Sequence, residues 1–176
     1  MSSDLTGAAA PRVLLIGMMA AGKTSVGRAL SAATGWPYLD NDELVHRATG
    51  LPTPEVLAAG DEATLRAAEA AALDEALAAP APVIAGVAGG VVTDPALCRR
   101  VSAGGFVVYL RAPLQVLVER VGSGSGRPWL QGDPEAALGR LFEGRDPVYR
   151  QVADLVVEVQ GVSPERLAAQ ILAALP

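Results

Sequence analysis

Five short apolar runs punctuate this chain, at Val13 to Ile16, Pro37 to Leu39, Val83 to Val87, Phe106 to Leu110 and Leu155 to Val159. Unbroken runs of this kind are what strands buried on both faces look like, whereas half-exposed strands alternate apolar and polar positions. Longer stretches with helical spacing lie between them. Ser25 to Ser31 opens one such stretch, and Leu65 to Leu77 is an alanine-rich one that sets Arg66 and Glu69 three residues apart, on one face. Three further helix starts are marked by Asp94-Pro95, Asp133-Pro134 and Ser163-Pro164. Each pairs a capping side chain with a residue whose φ is already helical. Strand and helix patterns in alternation predict an α/β fold, a five-stranded parallel sheet between two layers of helices.

With 176 residues the chain has the length of one domain. Met1 to Ala10 has neither the basic start nor the apolar run of a secretory signal and is expected to be a disordered tail, leaving residues 11–176 as the domain. The formal net charge is −5, which argues against a broad nucleic-acid or anionic-membrane surface and requires any anion to be gripped locally. Hydrophobic residues make up 51% of the chain, but alanine carries much of that, and no stretch of about 18 strongly apolar residues exists to span a bilayer. The single cysteine, Cys98, forms no intrachain disulfide and fits a reducing compartment, with packing as its role. These features point to a soluble cytoplasmic protein, taken as a monomer because no exposed apolar stripe is evident.

The chemistry starts at Gly17-Met18-Met19-Ala20-Ala21-Gly22-Lys23-Thr24, which fits the phosphate-cradling pattern G-x-x-x-x-G-K-[ST]. It follows the first strand and opens a helix, so the first helical amides, through Ser25, and the positive end of the helix dipole face bound phosphates. Lys23 is the only lysine; the thirteen other basic residues are arginine. A compact ammonium can follow β- and γ-phosphate oxygens within a tight loop, where a broad guanidinium fork fits less well. The Thr24 hydroxyl is placed for Mg²⁺.

Ligands of open α/β sheets gather beyond the carboxyl ends of the strands. The loops after Ile16, after Leu39 (Asp40-Asn41-Asp42) and after Val87 (Ala88-Gly89-Gly90) are expected to meet there. The glycine-rich segment at about 122–133 is expected to be a mobile lid. Closing it would exclude water, and Arg127 on it would offset charge on a transferring phosphoryl group.

Taken with Leu65-Arg66-Ala67-Ala68-Glu69, Arg127-Pro128-Trp129-Leu130 and Arg145-Asp146-Pro147-Val148-Tyr149, these motifs resemble the shikimate kinase family, one of the nucleoside-monophosphate-kinase-like P-loop families, over nearly all the chain after the tail. The resemblance implies transfer of the γ-phosphoryl of ATP to the 3-hydroxyl of shikimate with Mg²⁺, in aromatic amino-acid biosynthesis, and a small substrate-binding helical segment at about 40–70. It makes Asp42 the contact to the acceptor hydroxyl and the base, and gives Asp40 a hold on Mg²⁺ through water. Arg66 and Arg145 match the arginines that grip the substrate carboxylate, and Gly89 and Gly90 the glycines whose backbone approaches the ligand ring. Arg120 and Pro164 match the pair that sandwiches adenine. With Lys23, Asp42 and Arg127 as the catalytic set, the expected ATP site is Gly17, Ala20, Ala21, Gly22, Lys23, Thr24, Ser25, Arg120, Arg127 and Pro164.

Structural alternatives stand beside these roles. Asp40-Asn41-Asp42 also suits a solvated turn capping the next helix. Arg66 or Arg145 could pair with Glu69 or Asp146, and Pro164 suits the first position of a helix. Two departures from the family pattern stand out: Ala88 where a third glycine is usual, and Met18-Met19-Ala20-Ala21 where the loop is usually richer in glycine or serine. Ala20 forbids nothing wherever its φ is negative. The competing activities are a gluconate or other sugar-acid kinase, a nucleotide kinase, for which Glu43 to Ala63 is short, and a non-catalytic ATP-binding protein.

Overall fold

The computed structural model describes residues 10–59, 62–122 and 132–176. The expected tail, apart from Ala10, and Arg127 with most of the expected lid lie outside the described residues. The five apolar runs form five parallel strands: β1 (Arg12–Ile16), β2 (Tyr38–Leu39), β3 (Val83–Gly86), β4 (Phe106–Arg111) and β5 (Leu155–Glu158). Their order across the sheet is β2-β3-β1-β4-β5. The central strands are buried on both faces, with Val13 to Leu15 and Val107 to Leu110 fully enclosed. On β5 only Val157 is buried, as an edge strand allows.

Eight α-helices connect and cover the sheet among the described residues: α1 (Lys23–Thr34), α2 (Asn41–Thr49), α3 (Thr53–Ala58), α4 (Glu62–Ala78), α5 (Pro95–Gly104), α6 (Leu114–Val121), α7 (Pro134–Val152) and α8 (Pro164–Ala174), with a 3-10 turn at Gly89–Thr93. The capping pairs act as expected. Asp94 accepts from the Ala96 amide, Asp133 from Ala136 and Ser163 from Arg166. α1 packs on β1 to β3 and on α8, α5 on β1 and β4, and α7 on β4.

A second, smaller apolar cluster joins α2, α3 and the first half of α4 through Leu44, Val45, Val56, Leu65, Ala68 and Ala72. The other half of α4 delivers Leu73 and Ala76 to the main core. One helix therefore spans both clusters and fixes the 40–70 segment to the sheet. β1 and β4 are neighbours whose onward connections run to opposite sides of the sheet, and such a switch leaves a crevice at their carboxyl ends. The loop after β1 occupies that crevice.

Candidate active site

Gly17 sits where β1 gives way to the phosphate loop with φ of 147°, and a Cβ there would lie 2.6 Å from the Leu110 carbonyl oxygen at the end of β4. Only glycine fits such a position. The loop closes with an Ala21 amide donating to the Met18 carbonyl at 3.2 Å, and Gly22, with φ of 101°, leads into α1. Between them Ala20 takes φ of 62°, the one left-handed residue other than glycine among those described. The negative φ under which alanine would cost nothing is not the one adopted. An L-residue in this region costs roughly 1–2 kcal/mol. Strained backbone of this kind persists where surrounding contacts hold it, and Arg120 Nη1 donates to the Ala20 and Ala21 carbonyls at 3.0 and 3.4 Å.

Lys23 Nζ curls back on its own loop, donating to the carbonyls of Gly17 at 2.9 Å and Met18 at 3.0 Å. Burial pushes the ammonium down from its ordinary 10.5 to about 8, against the opposing pull of Asp42 and Asp40.

The two carboxylates after β2 have different surroundings. Asp40 is buried; its Oδ1 accepts from the Asp42 amide and caps α2, while Oδ2 accepts from Thr24 Oγ1 at 2.7 Å and Tyr38 Oη at 3.0 Å. The capping alternative thus holds for Asp40, but the turn is not solvated there. Asp42 accepts through Oδ1 alone among the described residues, from Thr53 Oγ1 at 3.1 Å and Asn41 Nδ2 at 3.4 Å. Tyr38 also fills the space above two small residues: a Cβ on Gly27 would fall 2.2 Å from its ring.

Arg66 is paired as the structural alternative supposed, with Glu69 at 2.6 Å and Glu62 at 3.4 Å. Glu69 is buried, and burial raises its carboxyl pKa against the opposing pull of Arg66. Arg145 is not paired with Asp146, which instead binds Arg111 and Arg150, each at 2.9 Å, and the Tyr109 hydroxyl. Its Nε is buried without a partner among the described residues. Gly90 leaves room for Arg66, since a Cβ there would lie 1.8 Å from Arg66 Nη1, whereas a Cβ on Gly89 would meet Arg145 Nη1 at an ordinary 3.5 Å. Ala88 has φ of −58°, which any residue adopts.

One cavity of about 630 Å³ gathers Ala20, Gly22, Lys23, Thr24, Ser25, Asp40, Asp42, Arg66, Gly89, Gly90 and Arg145 on its walls. Gly17 and Ala21 lie in the loop behind them. Of the two residues expected at adenine, Arg120 braces the phosphate loop, and Pro164 opens α8 behind its Ser163 cap. Sequence reasoning missed four contributors. Tyr38 and Tyr149 sat within quoted or neighbouring motifs, Thr53 carries no motif, and Arg140, on the cavity wall from α7, forms no ion pair among the described residues. Only Arg140 had a legible signal, as an arginine on the same helix as Arg145.

The family profile for shikimate kinase matches residues 19–176. A shikimate kinase of Halorhodospira halophila is 42% identical over 165 residues, 93% of each chain. Among solved structures, the shikimate kinase from Acinetobacter baumannii in complex with shikimate is 34% identical with a TM-score of 0.87, covering 93% of this chain and 91% of that one. The shikimate kinase of Aquifex aeolicus is 30% identical with a TM-score of 0.80, over 92% of this chain and 94% of that one. A phosphate loop, the Asp42 carboxylate and the Arg145 guanidinium, which has no ion pair among the described residues, share one cavity on this fold, and the matches cover most of the chain: it belongs to the shikimate kinase family, kinases that transfer phosphate from ATP to an alcohol.

Proposed function

We propose that this chain phosphorylates the 3-hydroxyl of shikimate with ATP, giving shikimate 3-phosphate in aromatic amino-acid biosynthesis. One observation carries this reading: the phosphate-loop ammonium, an Asp42 oxygen left without a partner among the described residues, and the Arg145 guanidinium line the same cavity. An alcohol bearing a carboxylate is the acceptor that this set complements. The resemblance to a shikimate kinase solved with shikimate supports the same choice.

The loop amides and Lys23 hold the triphosphate, with Lys23 exchanging the Gly17 and Met18 carbonyls for phosphate oxygens. Arg145 takes the acceptor carboxylate, and its planar fork matches that anion. Asp42 orients the hydroxyl and receives its proton as the oxygen bonds to the γ-phosphorus and the bond to the β–γ bridging oxygen breaks. The donor set near Thr24 fits Mg²⁺, which favours oxygen ligands and keeps several waters. The Thr24 hydroxyl donates a hydrogen bond to Asp40 Oδ2, so its oxygen lone pairs would be open to a metal that Asp40 would hold through water. The bound ion would supply charge to offset that of the phosphates.

The 40–70 segment, with its own apolar cluster, is the proposed acceptor-binding part of a single domain. No helix among the described residues is long and apolar enough to cross a membrane. A cytoplasmic monomer without nucleic-acid partners is part of this proposal, supported by the net charge of −5 and the single cysteine.

An ADP-release assay with shikimate, quinate, gluconate and nucleoside monophosphates tests the acceptor. Turnover should be selective for shikimate; preference for gluconate or a nucleotide would replace this assignment. Asp42→Asn should lower kcat by roughly 10²–10⁴, the range of general-base contributions, and leave ATP affinity nearly intact. Turnover within tenfold of the parent would remove Asp42 from the proton-accepting role.

A further inference from the structure

The two arginines proposed to meet the acceptor have neighbours of different charge. Arg66 is neutralised by Glu69 and Glu62. Arg145 has no carboxylate within ion-pair distance among the described residues, because its neighbour Asp146 is taken by Arg111 and Arg150. Beside it stands a phenol. The Arg145 guanidinium and the Tyr149 hydroxyl converge on Gly89 and interact electrostatically. Tyr149 donates to the Gly89 carbonyl at 2.8 Å. Four residues apart on α7, the two side chains share a face. The Tyr149 ring is fully buried and rests against Tyr109 with centroids 4.9 Å apart, so the hydroxyl has little freedom to leave. A Cβ at Gly89 would lie 3.1 Å from Tyr149 Oη and 3.5 Å from Arg145 Nη1, so glycine, hydroxyl and guanidinium meet in one contact.

We propose that Tyr149 is a positioning residue for acceptor binding: its neutral hydroxyl fixes the Arg145 guanidinium against the Gly89 turn while leaving the arginine's charge for the substrate carboxylate. This rests on the proposed carboxylate-bearing acceptor. A glutamate in the same role would hold the guanidinium more firmly but compete with the incoming carboxylate, as Glu69 and Glu62 do at Arg66. Burial raises the Tyr149 pKa to about 12, which keeps the partner uncharged over any working pH. The unpartnered Arg145 Nε leaves a further donor unspent.

The test is Tyr149→Phe, which removes the oxygen and keeps the ring. The expected result is a rise of about tenfold in KM for shikimate, with kcat and the Mg-ATP dissociation constant within about twofold. In an Arg145→Ala background the same change should add less than twofold, since its effect passes through Arg145. A methyl ester of the acceptor, lacking the charge that Arg145 meets, should show little dependence on residue 149. Equal losses in the presence and absence of Arg145, or losses shared by kcat and ATP affinity, would overturn the proposal. Thermal melting monitors folding, and Tyr149→Met repeats the comparison if the phenylalanine variant melts early. If the parent enzyme turns over a different carboxylate-bearing acceptor, the shikimate assignment fails while the Tyr149–Arg145 coupling is still read on that acceptor.

Discussion

Binding of Mg-ATP near pH 8 is expected to draw about half a proton from solution, and Lys23 is the group that takes it. Burial holds its ammonium at about 8 in the ligand-free protein. On that value the side chain is about one-tenth neutral at pH 7, half neutral at pH 8 and nine-tenths neutral at pH 9. Phosphate oxygens arriving within hydrogen-bond reach favour the charged form and shift such a group upward by roughly 1–3 units. Uptake should therefore climb from about 0.1 proton per nucleotide at pH 7 to about 0.5 at pH 8 and higher at pH 9. Titration calorimetry in two buffers of different ionisation enthalpy reads this number directly. Uptake below about 0.1 at both pH 8 and pH 9 would show that Lys23 keeps its proton and that the Gly17 and Met18 carbonyls outweigh its loss of water. The same shift acts on folding. The unfolded chain holds this proton up to about 10.5 and the folded one releases it near 8, so ligand-free stability should rise with pH between those values. The gap sets an upper bound of about 3 kcal/mol, and the part of the side chain facing the open cavity lowers it to about half.

Ala20→Gly relieves the left-handed alanine, worth roughly 1–2 kcal/mol, but restores about 0.4–1 kcal/mol of unfolded-state entropy. The net expectation is stabilisation by about 0.5 kcal/mol, or one to two degrees in Tm at this chain length, and a loss of about 1 kcal/mol on urea unfolding would contradict the φ of 62°. Gly90→Ala places a methyl on the Arg66 guanidinium and should raise KM for the acceptor about tenfold while ATP affinity stays within twofold, as steady-state kinetics would show. Unchanged acceptor kinetics would mean that Arg66 yields without loss.

The strands were legible because a central parallel strand is buried on both faces and leaves an unbroken apolar run, as Val13 to Ile16 does. Their ends fell within one residue of the runs. The order β2-β3-β1-β4-β5 left no such trace, since alternating strands and helices are compatible with several orders. Ala88 and Ala20, both in departures from the family pattern, looked alike in sequence and are opposite in structure. Ala88 has an ordinary φ of −58°, whereas Ala20 sits at 62°. Backbone angle is decided by loop closure, which residue type alone does not encode. The pairing of Arg145 was open in the sequence, which showed a helix start at Asp133-Pro134 but not its extent; α7 runs through Pro147 to Val152. Once 145 and 146 are helical they point apart, and an Asp146 partnership is excluded by geometry.

An acidic chain holds an anion site here through the way its charges are already spent. Asp40, Asp42, Glu62 and Glu69 line the cavity with Lys23, Arg66, Arg140 and Arg145, so a simple count gives no excess of either sign. Hydrogen bonding breaks the tie. Asp40 is committed to Thr24, Tyr38 and the Asp42 amide, and both glutamates are committed to Arg66. Lys23 rests on neutral carbonyls, Arg145 lies beside a neutral hydroxyl, and Arg140 has no ion pair among the described residues. Three cations thus keep most of their field, against the single loosely held carboxylate of Asp42, the proposed base. A neutral partner orients a cation without cancelling it, whereas a carboxylate does both. Selecting the partner's charge, residue by residue, is what separates the groups that bracket the substrates from those that build the walls.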